Sequence, residues 1–361
     1  MASIVHAYNI HDLLTLRIRR RRATAADSFL DSTFAHYRTD RLESDPDIDV
    51  EVGPFAADTA GALLLDGRWY VRPDAILYDT RMKIARWRTE IRGLDGDRLR
   101  VRIDANYPAR MVFPGETIYS LIRLRLAQKG LLLLHAPAVA AGGKALLLPA
   151  RGGTGKTITA IRFARAGWGF MGDDSSILAA DGVRSFIVPF NLRFTYDVER
   201  FLGIRFVPRK RLEIFLKRCL SLATLGSINL FSRIDARDVF GDRIVHRAAL
   251  GAVYILIQGA EPAVSPPQPA DLAARSVLIN TLFEADELRA MLLAYGYGNP
   301  GSPLKRVWDD FGDRLAERLG RCVCRRVTVP PDYPPEVFEM IRRQAERDLS
   351  AAAGLGAEGA A

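Results

Sequence analysis

Three things are scarce in this sequence, namely cysteine, lysine and long apolar runs. Its three cysteines are too few, and odd in number, for a disulfide framework, which favours a reducing compartment. No run of about 18 apolar residues occurs, and the N-terminus lacks the basic-then-apolar order of a signal peptide. The sequence therefore predicts a cytoplasmic protein that is neither secreted nor membrane-spanning.

The shortage of lysine makes arginine the main carrier of positive charge. Only seven of the 51 basic residues are lysines, and the formal net charge is +9. Arginines cluster at Arg17 with Arg19–Arg22 and again within 193–218, and each cluster is compatible with a solvated face or an anionic partner. Neither cluster interleaves with the aromatic residues of a stacking surface, and no nucleic-acid module is recognisable. Nucleic acid is therefore a disfavoured partner.

The apolar content and its patterning predict a globular protein. With 361 residues, 48% of them hydrophobic, the chain is long enough for two domains or one large domain with appendages. Residues 1–45 are polar and predict an irregular region with a short helix at 27–37. Short β-branched runs between 48 and 112 alternate with tight-turn pairs such as Asp66-Gly67 and predict a small antiparallel sheet. Apolar residues at helical spacing follow at 116–128.

These patterns place the chain in the α/β class and divide it into three regions. An N-terminal region, 1–113, is β-rich from about residue 48, and 114–330 forms an α/β domain that contains a hairpin around Gly142-Gly143. A C-terminal helix and a disordered Ala/Gly tail, from residue 351, make up 331–361. Further helices are expected at 158–166, 209–222, 270–282 and 335–349, and further strands at 168–172, 176–180, 183–188 and 252–258.

The most informative segment is Ala150-Arg-Gly-Gly-Thr-Gly-Lys-Thr157, which matches the phosphate-loop pattern GxxxxGK[ST] at every position but the first. Its glycines let successive N–H groups turn toward phosphate oxygens, Lys156 reaches the β- and γ-phosphates, and the Thr157 hydroxyl can ligate Mg²⁺. The loop also opens a predicted helix, whose N-terminus favours an anion. A glycine-rich turn without a ligand is the alternative. The candidate nucleotide-binding residues are Arg151, Gly152, Gly153, Thr154, Gly155, Lys156 and Thr157.

Two acidic residues, Asp173 and Asp174, follow the strand predicted after the helix of the loop. A strand–helix–strand unit is expected to form a right-handed crossover with parallel strands, so that both strands end at one edge of the sheet. The carboxylates are thereby expected beside the phosphate loop, where one can hold Mg²⁺ and the other can accept a proton from an attacking hydroxyl. Ordinary solvated acids at a strand end are the alternative.

His135 is placed by the register of the predicted hairpin. If Gly142-Gly143 is the two-residue turn, His135 faces Ala150 at the start of the loop, and its ring points at the γ-phosphate position. A histidine on a strand is more often structural, so the register alone favours a structural role.

Three segments together resemble the catalytic core of the HPr serine kinase/phosphorylase family in the order and spacing of histidine, loop and Asp pair. They are Leu132-Leu-Leu-His135-Ala-Pro-Ala-Val139, Gly152–Thr157 and Gly167–Asp174. The likeness covers 120–190, and 116–285 loosely. It implies a P-loop kinase core with a phosphoenolpyruvate carboxykinase-like fold, which uses ATP and Mg²⁺ to phosphorylate a serine hydroxyl. The chain looks most like diverged relatives associated with peptide modification, such as kinases of lasso-peptide precursors.

The resemblance implies a role for each residue at the loop. Lys156 binds the phosphates, Thr157 and Asp173 lie near the metal, Asp174 acts as the base, and His135 lies near the transferred group.

The chain also departs from the family pattern. Asn191-Leu-Arg193 stands where the family has Glu-x-Arg, which makes Asn191 a candidate metal ligand and Arg193 a candidate catalytic residue but removes a carboxylate. The loop begins with Ala150 in place of Gly and ends in Thr157 in place of Ser. No counterpart of the region linked to the reverse phosphorylase reaction is found, so the kinase direction is favoured and HPr is a doubtful substrate.

The sequence thus predicts an ATP-dependent kinase that transfers the γ-phosphate to a hydroxyl, with serine favoured. The acceptor is a peptide, a small protein or a small molecule, and a homo-oligomer is compatible with the sequence. The alternative is a non-catalytic ATP-binding regulatory module, which needs Mg²⁺ ligation but no base at Asp174.

Overall fold

The computed structural model describes residues 4–22, 24–192, 199, 202, 205–223 and 232–355. The chain forms two compact units, each with a large mixed sheet and helices, which confirms the α/β class. The first unit comprises Met1–Leu133, Leu178–Ala180 and Ala274–Arg318, and the second comprises Leu134–Ile177, Asp181–Ala273 and Leu319–Ala361. Within the described residues, no helix is both long enough and apolar enough to cross a bilayer.

The first unit contains a nine-stranded sheet. Its strands are β1 Ile4–Ile10, β2 Leu14–Arg20, β3 Arg38–Thr39, β4 Ile48–Val52, β5 Leu63–Leu65, β6 Trp69–Arg72, β7 Ala75–Met82, β8 Ala85–Arg92 and β9 Leu99–Ala105. Their order is β3-β1-β2-β4-β9-β8-β7-β6-β5. Strand β4 pairs in parallel with β2 and with β9, whereas the other pairings are antiparallel. The predicted small antiparallel sheet therefore has too few strands and lacks the two parallel pairings.

The predicted irregular structure of residues 1–45 is wrong, because β1 and β2 pair along their whole length. In β2 the residues Leu14, Leu16 and Ile18 are buried, while the intervening Arg17 and Arg19 are not. This alternation is the period of a strand with one buried face. The high arginine content of the segment led to the prediction of a polar loop. The helix predicted at 27–37 is present as an α-helix followed by a 3₁₀ turn.

The helices differ from the predictions mainly at their ends. They are α1 Asp27–Thr33, α2 Tyr119–Gln128, α3 Lys156–Arg165, α4 Pro208–Ala223, α5 Ala236–Phe240, α6 Ala270–Phe283, α7 Asp286–Gly298, α8 Val307–Leu319 and α9 Pro335–Leu355. Helix α9 continues through 351–355, where the sequence predicts the disordered tail, and 356–361 lie outside the described residues. Helices α5, α7 and α8 have no counterpart among the predictions.

The strands of the remaining chain belong mainly to the second unit. They are β10 Leu132–Leu134, β11 Ala138–Ala141, β12 Lys144–Leu147, β13 Gly169–Gly172, β14 Ser175–Ala179, β15 Gly182–Phe186, β16 Phe190–Leu192, β17 Ser232–Ile234, β18 Arg247–Gln258, β19 Ala263–Val264 and β20 Val323–Val329. The sheet has the order β10-β14-β15-β18-β12-β11-β13, with β20 parallel to β18 and β19 antiparallel to β20. Strands β16 and β17 form a separate pair.

The crossover that carries the phosphate-loop motif has the predicted direction. Strands β12 and β13 both pair antiparallel with β11, which lies between them, so β12 and β13 run the same way. Helix α3 connects them and buries Ile161 and Phe163 in a core that also contains Phe170 of β13 and Ile341 of α9. The loop before α3 and the acids after β13 therefore lie at the same edge of the sheet.

The limits of the two units differ from the predicted boundaries at 113/114 and 330/331. Helix α2, placed by the sequence in the second domain, packs on β2 and β4 of the first unit. Helix α9 packs on α3, β18 and β20 and so belongs to the core of the second unit. Both differences arise from contacts between segments far apart in the chain, which composition along the chain does not reveal.

Candidate functional site

The phosphate-loop segment connects β12 to α3 in the conformation that its glycines permit. Gly153 has φ +84° and Gly155 has φ +96°, in the left-handed region that residues with a Cβ rarely adopt. Gly155 is also the N-cap of α3, so the loop ends at the electropositive end of a ten-residue helix. Among the described residues, no atom outside the glycine and its two chain neighbours lies within 4 Å of the Cβ position of Gly152 or Gly153, which leaves open space beside the backbone there.

Three predicted residues meet beside this loop. The Lys156 Nζ atom lies 3.7 Å from Oδ1 of Asp174, and Nδ1 of His135 lies 3.5 Å from Oδ2 of the same carboxylate. Ser175 Oγ donates a hydrogen bond of 3.3 Å to that Oδ2. Because the His135 side chain is only 6% exposed and that of Asp174 is 42% exposed, the carboxylate is the part of this cluster most open to a ligand.

His135 reaches the loop differently from the prediction. The hairpin register itself is as predicted, from Ala138 opposite Leu147 to Ala141 opposite Lys144. Ala150, however, bridges Leu256 of β18, and no pairing of Ala150 with His135 occurs in the described ladder. The imidazole is therefore linked to the loop through Asp174 and Lys156, and not by facing the first residue of the loop.

The carboxyl group of Asp173 is strongly perturbed. Burial, and then the negative charge of Asp174, raise the pKa of Asp173 to about 8, although Lys156 acts in the opposite direction. The Thr157 hydroxyl lies 3.5 Å from the backbone oxygen of Asp173. Gly172 makes this turn possible, because a Cβ there would lie 2.7 Å from the oxygen of Ser175. Two adjacent carboxylates with too little positive charge around them are a suitable environment for a cation.

The donor set fits Mg²⁺ bound together with phosphate. Within the described residues, no group of three or more His, Cys, Asp or Glu side chains forms a complete metal cage. Mg²⁺ commonly uses one or two carboxylates and completes its shell with phosphate oxygens and water. Asp173 and the Thr157 hydroxyl would supply such a partial shell.

The structure leaves two candidate residues without a described side chain. Asn191 lies on β16 opposite Arg233 of β17, but the position of its side chain is outside the described part of the chain. Arg193 lies outside the described residues altogether. Their roles as metal ligand and catalytic arginine remain predictions.

Sequence reasoning missed Tyr333, which packs against the loop. Its ring lies 3.3 Å from the Cβ position of Gly155, and its hydroxyl shares a 2.9 Å hydrogen bond with the hydroxyl of Thr159. Thr159 in turn donates to the Gly155 oxygen at 2.9 Å, and the Arg162 guanidinium lies 4.6 Å from the centre of the tyrosine ring. Burial raises the pKa of the phenol, which stays neutral.

The backbone of Tyr333 is strained. It has φ +38°, which is uncommon for a bulky residue and more so before a proline. The only signal in the sequence is the run Pro330-Pro-Asp-Tyr-Pro-Pro335, which predicts a rigid turn but not what the turn touches.

A comparison with models of known protein families gave no match, and a comparison with curated proteins gave none either. The interpretation of the site therefore depends on its residues and their geometry.

Proposed function

We propose that this protein is an ATP-dependent kinase with a P-loop core of the HPr kinase and phosphoenolpyruvate carboxykinase-like type. It transfers the γ-phosphate of ATP to a hydroxyl, with serine favoured, of a peptide, a small protein or a small molecule. The observation that carries the proposal is the meeting of Lys156, Asp174 and His135 at the start of α3, beside a glycine loop with open space along its backbone.

Each residue has a chemical task in this proposal. Lys156 and the N-terminus of α3 stabilise the negative charge on the phosphates. Asp174, which contacts both Lys156 and His135, accepts the proton of the acceptor hydroxyl, and His135 orients that carboxylate. Mg²⁺ held by Asp173 and Thr157 would supply further neutralisation of phosphate charge.

Transfer of label from ATP tests the proposal against its alternative. The protein is incubated with Mg²⁺, ATP labelled in the γ-phosphate, and a panel of serine peptides and small alcohols. A kinase yields acid-stable label on an acceptor and an equal amount of ADP. Bound ATP that is recovered unchanged with every acceptor, together with an effect of ATP on a partner, would identify a regulatory module.

The raised pKa of Asp173 predicts a pH-dependent stability. Because the pKa in the folded protein, about 8, exceeds the ordinary value of 3.8, this group favours folding most at low pH and loses that contribution as the pH rises through 8. As the pH rises from 4 to 8, the free energy of unfolding of metal-free Asp173→Asn should therefore increase relative to that of the natural protein. Each 1 kcal/mol added to the free energy of unfolding raises the melting temperature by roughly 2–4 °C.

Thermal unfolding across this pH range checks the prediction, with the exposed Asp310→Asn as control. A difference in melting temperature between Asp173→Asn and the natural protein that is the same at every pH would contradict the environment assigned to Asp173. In the natural protein, Mg²⁺ should raise the melting temperature more at pH 8 than at pH 6, because the proton and the cation compete for the same carboxyl group.

Tyr333 is predicted to be a positioning residue for the loop. Tyr333→Phe removes only the hydrogen bond to Thr159, and Tyr333→Ala also removes the ring beside Gly155. The Phe variant should raise the KM for ATP about threefold to tenfold, and the Ala variant further, with the KM for the acceptor unchanged. Steady-state kinetics measure this split. Equal changes in both KM values would show a general loss of structure instead.

A further inference from the structure

One face of the first unit's sheet carries charged side chains in ordered rows. Strands β2, β4, β9 and β8 bury alternate residues on one side and place the intervening polar residues on the other. The pairing register aligns Arg17, Asp49, Arg100 and Arg92 across the four strands.

A second row lies two residues further along β2, β4 and β9. It consists of Arg19, Glu51, Arg102 and Glu90. We call the surface formed by both rows the arginine face.

The arginine face is concave. A depression of about 390 Å³ is lined by both rows, and a second of about 730 Å³ adjoins it, with Arg19 and Glu51 in the lining of both. Ten arginines and four carboxylates line the two depressions, and no lysine is among them. Two of these arginines, Arg20 and Arg110, are neutralised from behind by Asp27 and Asp31. Eight arginines then remain against four carboxylates, so the face is positive.

Several guanidinium groups are held in place by the carboxylates between them. Arg17 binds Asp49 through Nε at 3.1 Å and through Nη2 at 2.6 Å. The Glu90 carboxylate, only 2% exposed, accepts hydrogen bonds from Arg92 at 3.2 Å and from Arg102 at 2.6 Å. These contacts fix the positions of arginines whose remaining N–H groups can receive a ligand, which lowers the entropy lost on binding.

Other arginines of the face are uncompensated. Arg21, Arg22 and Arg100 are exposed, and no ion pair between described residues engages them. Three charged groups with no ion-pair partner in the described part of the chain, beside fixed ones, give a surface that both attracts carboxylates and orients them.

We propose that the arginine face binds an acidic segment of a partner polypeptide. A planar guanidinium group binds a carboxylate through two hydrogen bonds. Because the carboxylates of a peptide lie on separate side chains, they can contact the arginines without approaching the four acidic residues of the face. Among the described residues that line the two depressions there is no aromatic side chain on which a base would stack, and the neighbouring ring of Phe55 already stacks on the Arg102 guanidinium, 4.6 Å from its centre. The four acids would also repel a continuous phosphate backbone. The proposal does not depend on the chemistry proposed for the second unit, because peptide binding needs no ATP.

Fluorescence anisotropy tests the proposal with the full-length protein and no nucleotide. The probe is a fluorescein-labelled Glu-Ser repeat of roughly twelve residues, about 40 Å long when extended. A Gln-Ser repeat and a single-stranded RNA of similar length serve as comparison ligands. The natural protein should bind the Glu-Ser peptide more tightly than either, with an affinity that falls as salt rises.

The variant Arg21→Glu/Arg22→Glu/Arg100→Glu should weaken binding at least about tenfold. A matched control, Arg275→Glu/Arg306→Glu/Arg343→Glu, removes the same charge from exposed positions outside the face and should change the affinity less than about twofold. Equal losses in both variants, absence of binding, or tighter binding of the RNA would each overturn the proposal. Melting temperatures of both variants show whether they are folded.

Discussion

Replacing Lys156 by methionine should reduce phosphoryl transfer at least about 10³-fold and weaken ATP binding, while the protein stays folded. The ammonium group lies 3.7 Å from Asp174 at the start of α3, where the phosphates of a nucleotide would contact the loop. Methionine keeps the apolar stem of the side chain, so the loss is one of charge and not of packing. Initial rates and a calorimetric ATP titration measure the two effects.

Lys305→Met is the matched control for this substitution. Lys305 is an exposed lysine that donates to the oxygen of Pro300, and its loss should leave rate and affinity unchanged. A Lys156→Met protein with full activity would exclude the phosphate loop as the nucleotide site.

Replacing Asp174 by asparagine should reduce turnover by about 10²-fold to 10⁴-fold with little loss of Mg-ATP affinity. Asparagine has nearly the same shape and keeps an oxygen for Ser175 and Lys156, but it cannot accept the acceptor's proton. His135→Ala should lower turnover by about 10²-fold, because the carboxylate then loses its neighbour at 3.5 Å. Single-turnover rates separate the chemical step from ATP binding.

The pH profile shows which of the two acids is the base. If Asp173, with its pKa near 8, accepted the proton, kcat/KM measured at saturating Mg²⁺ would rise through pH 8, and Asp173→Asn would remove that rise. If Asp174 is the base, Asp173→Asn should mainly raise the Mg²⁺ concentration that is needed. Parallel loss of ATP binding and turnover in Asp174→Asn would contradict the roles proposed.

The part of the site that could be predicted is the part encoded locally. The loop before α3 follows from the spacing of three glycines, a lysine and a threonine within eight residues. The approach of Asp174 to Lys156 follows from the parallel direction of the two strands in one strand–helix–strand unit. These inferences needed no knowledge of the rest of the chain.

The part that could not be predicted depends on contacts between distant segments. Tyr333 meets Thr159 across 174 residues, and nothing in the spacing of either segment indicates the pair. The parallel pairing of β4 with β2 and β9 likewise joins strands whose order in the sheet differs from their order in the chain. His135 shows the limit of register arithmetic, because the ladder ends before Ala150, which bridges β18.

Calorimetric titration with ATP, ADP and AMP, each with Mg²⁺, tests most directly whether this loop binds the phosphates of a nucleotide. The three ligands share the base and the sugar and differ only in the phosphates that the loop and Lys156 would contact. If the loop binds the phosphates, the affinity should fall from ATP to ADP to AMP, by at least about tenfold between the first and the last. Equal affinity for ATP and AMP, or no binding of any of them, would contradict it.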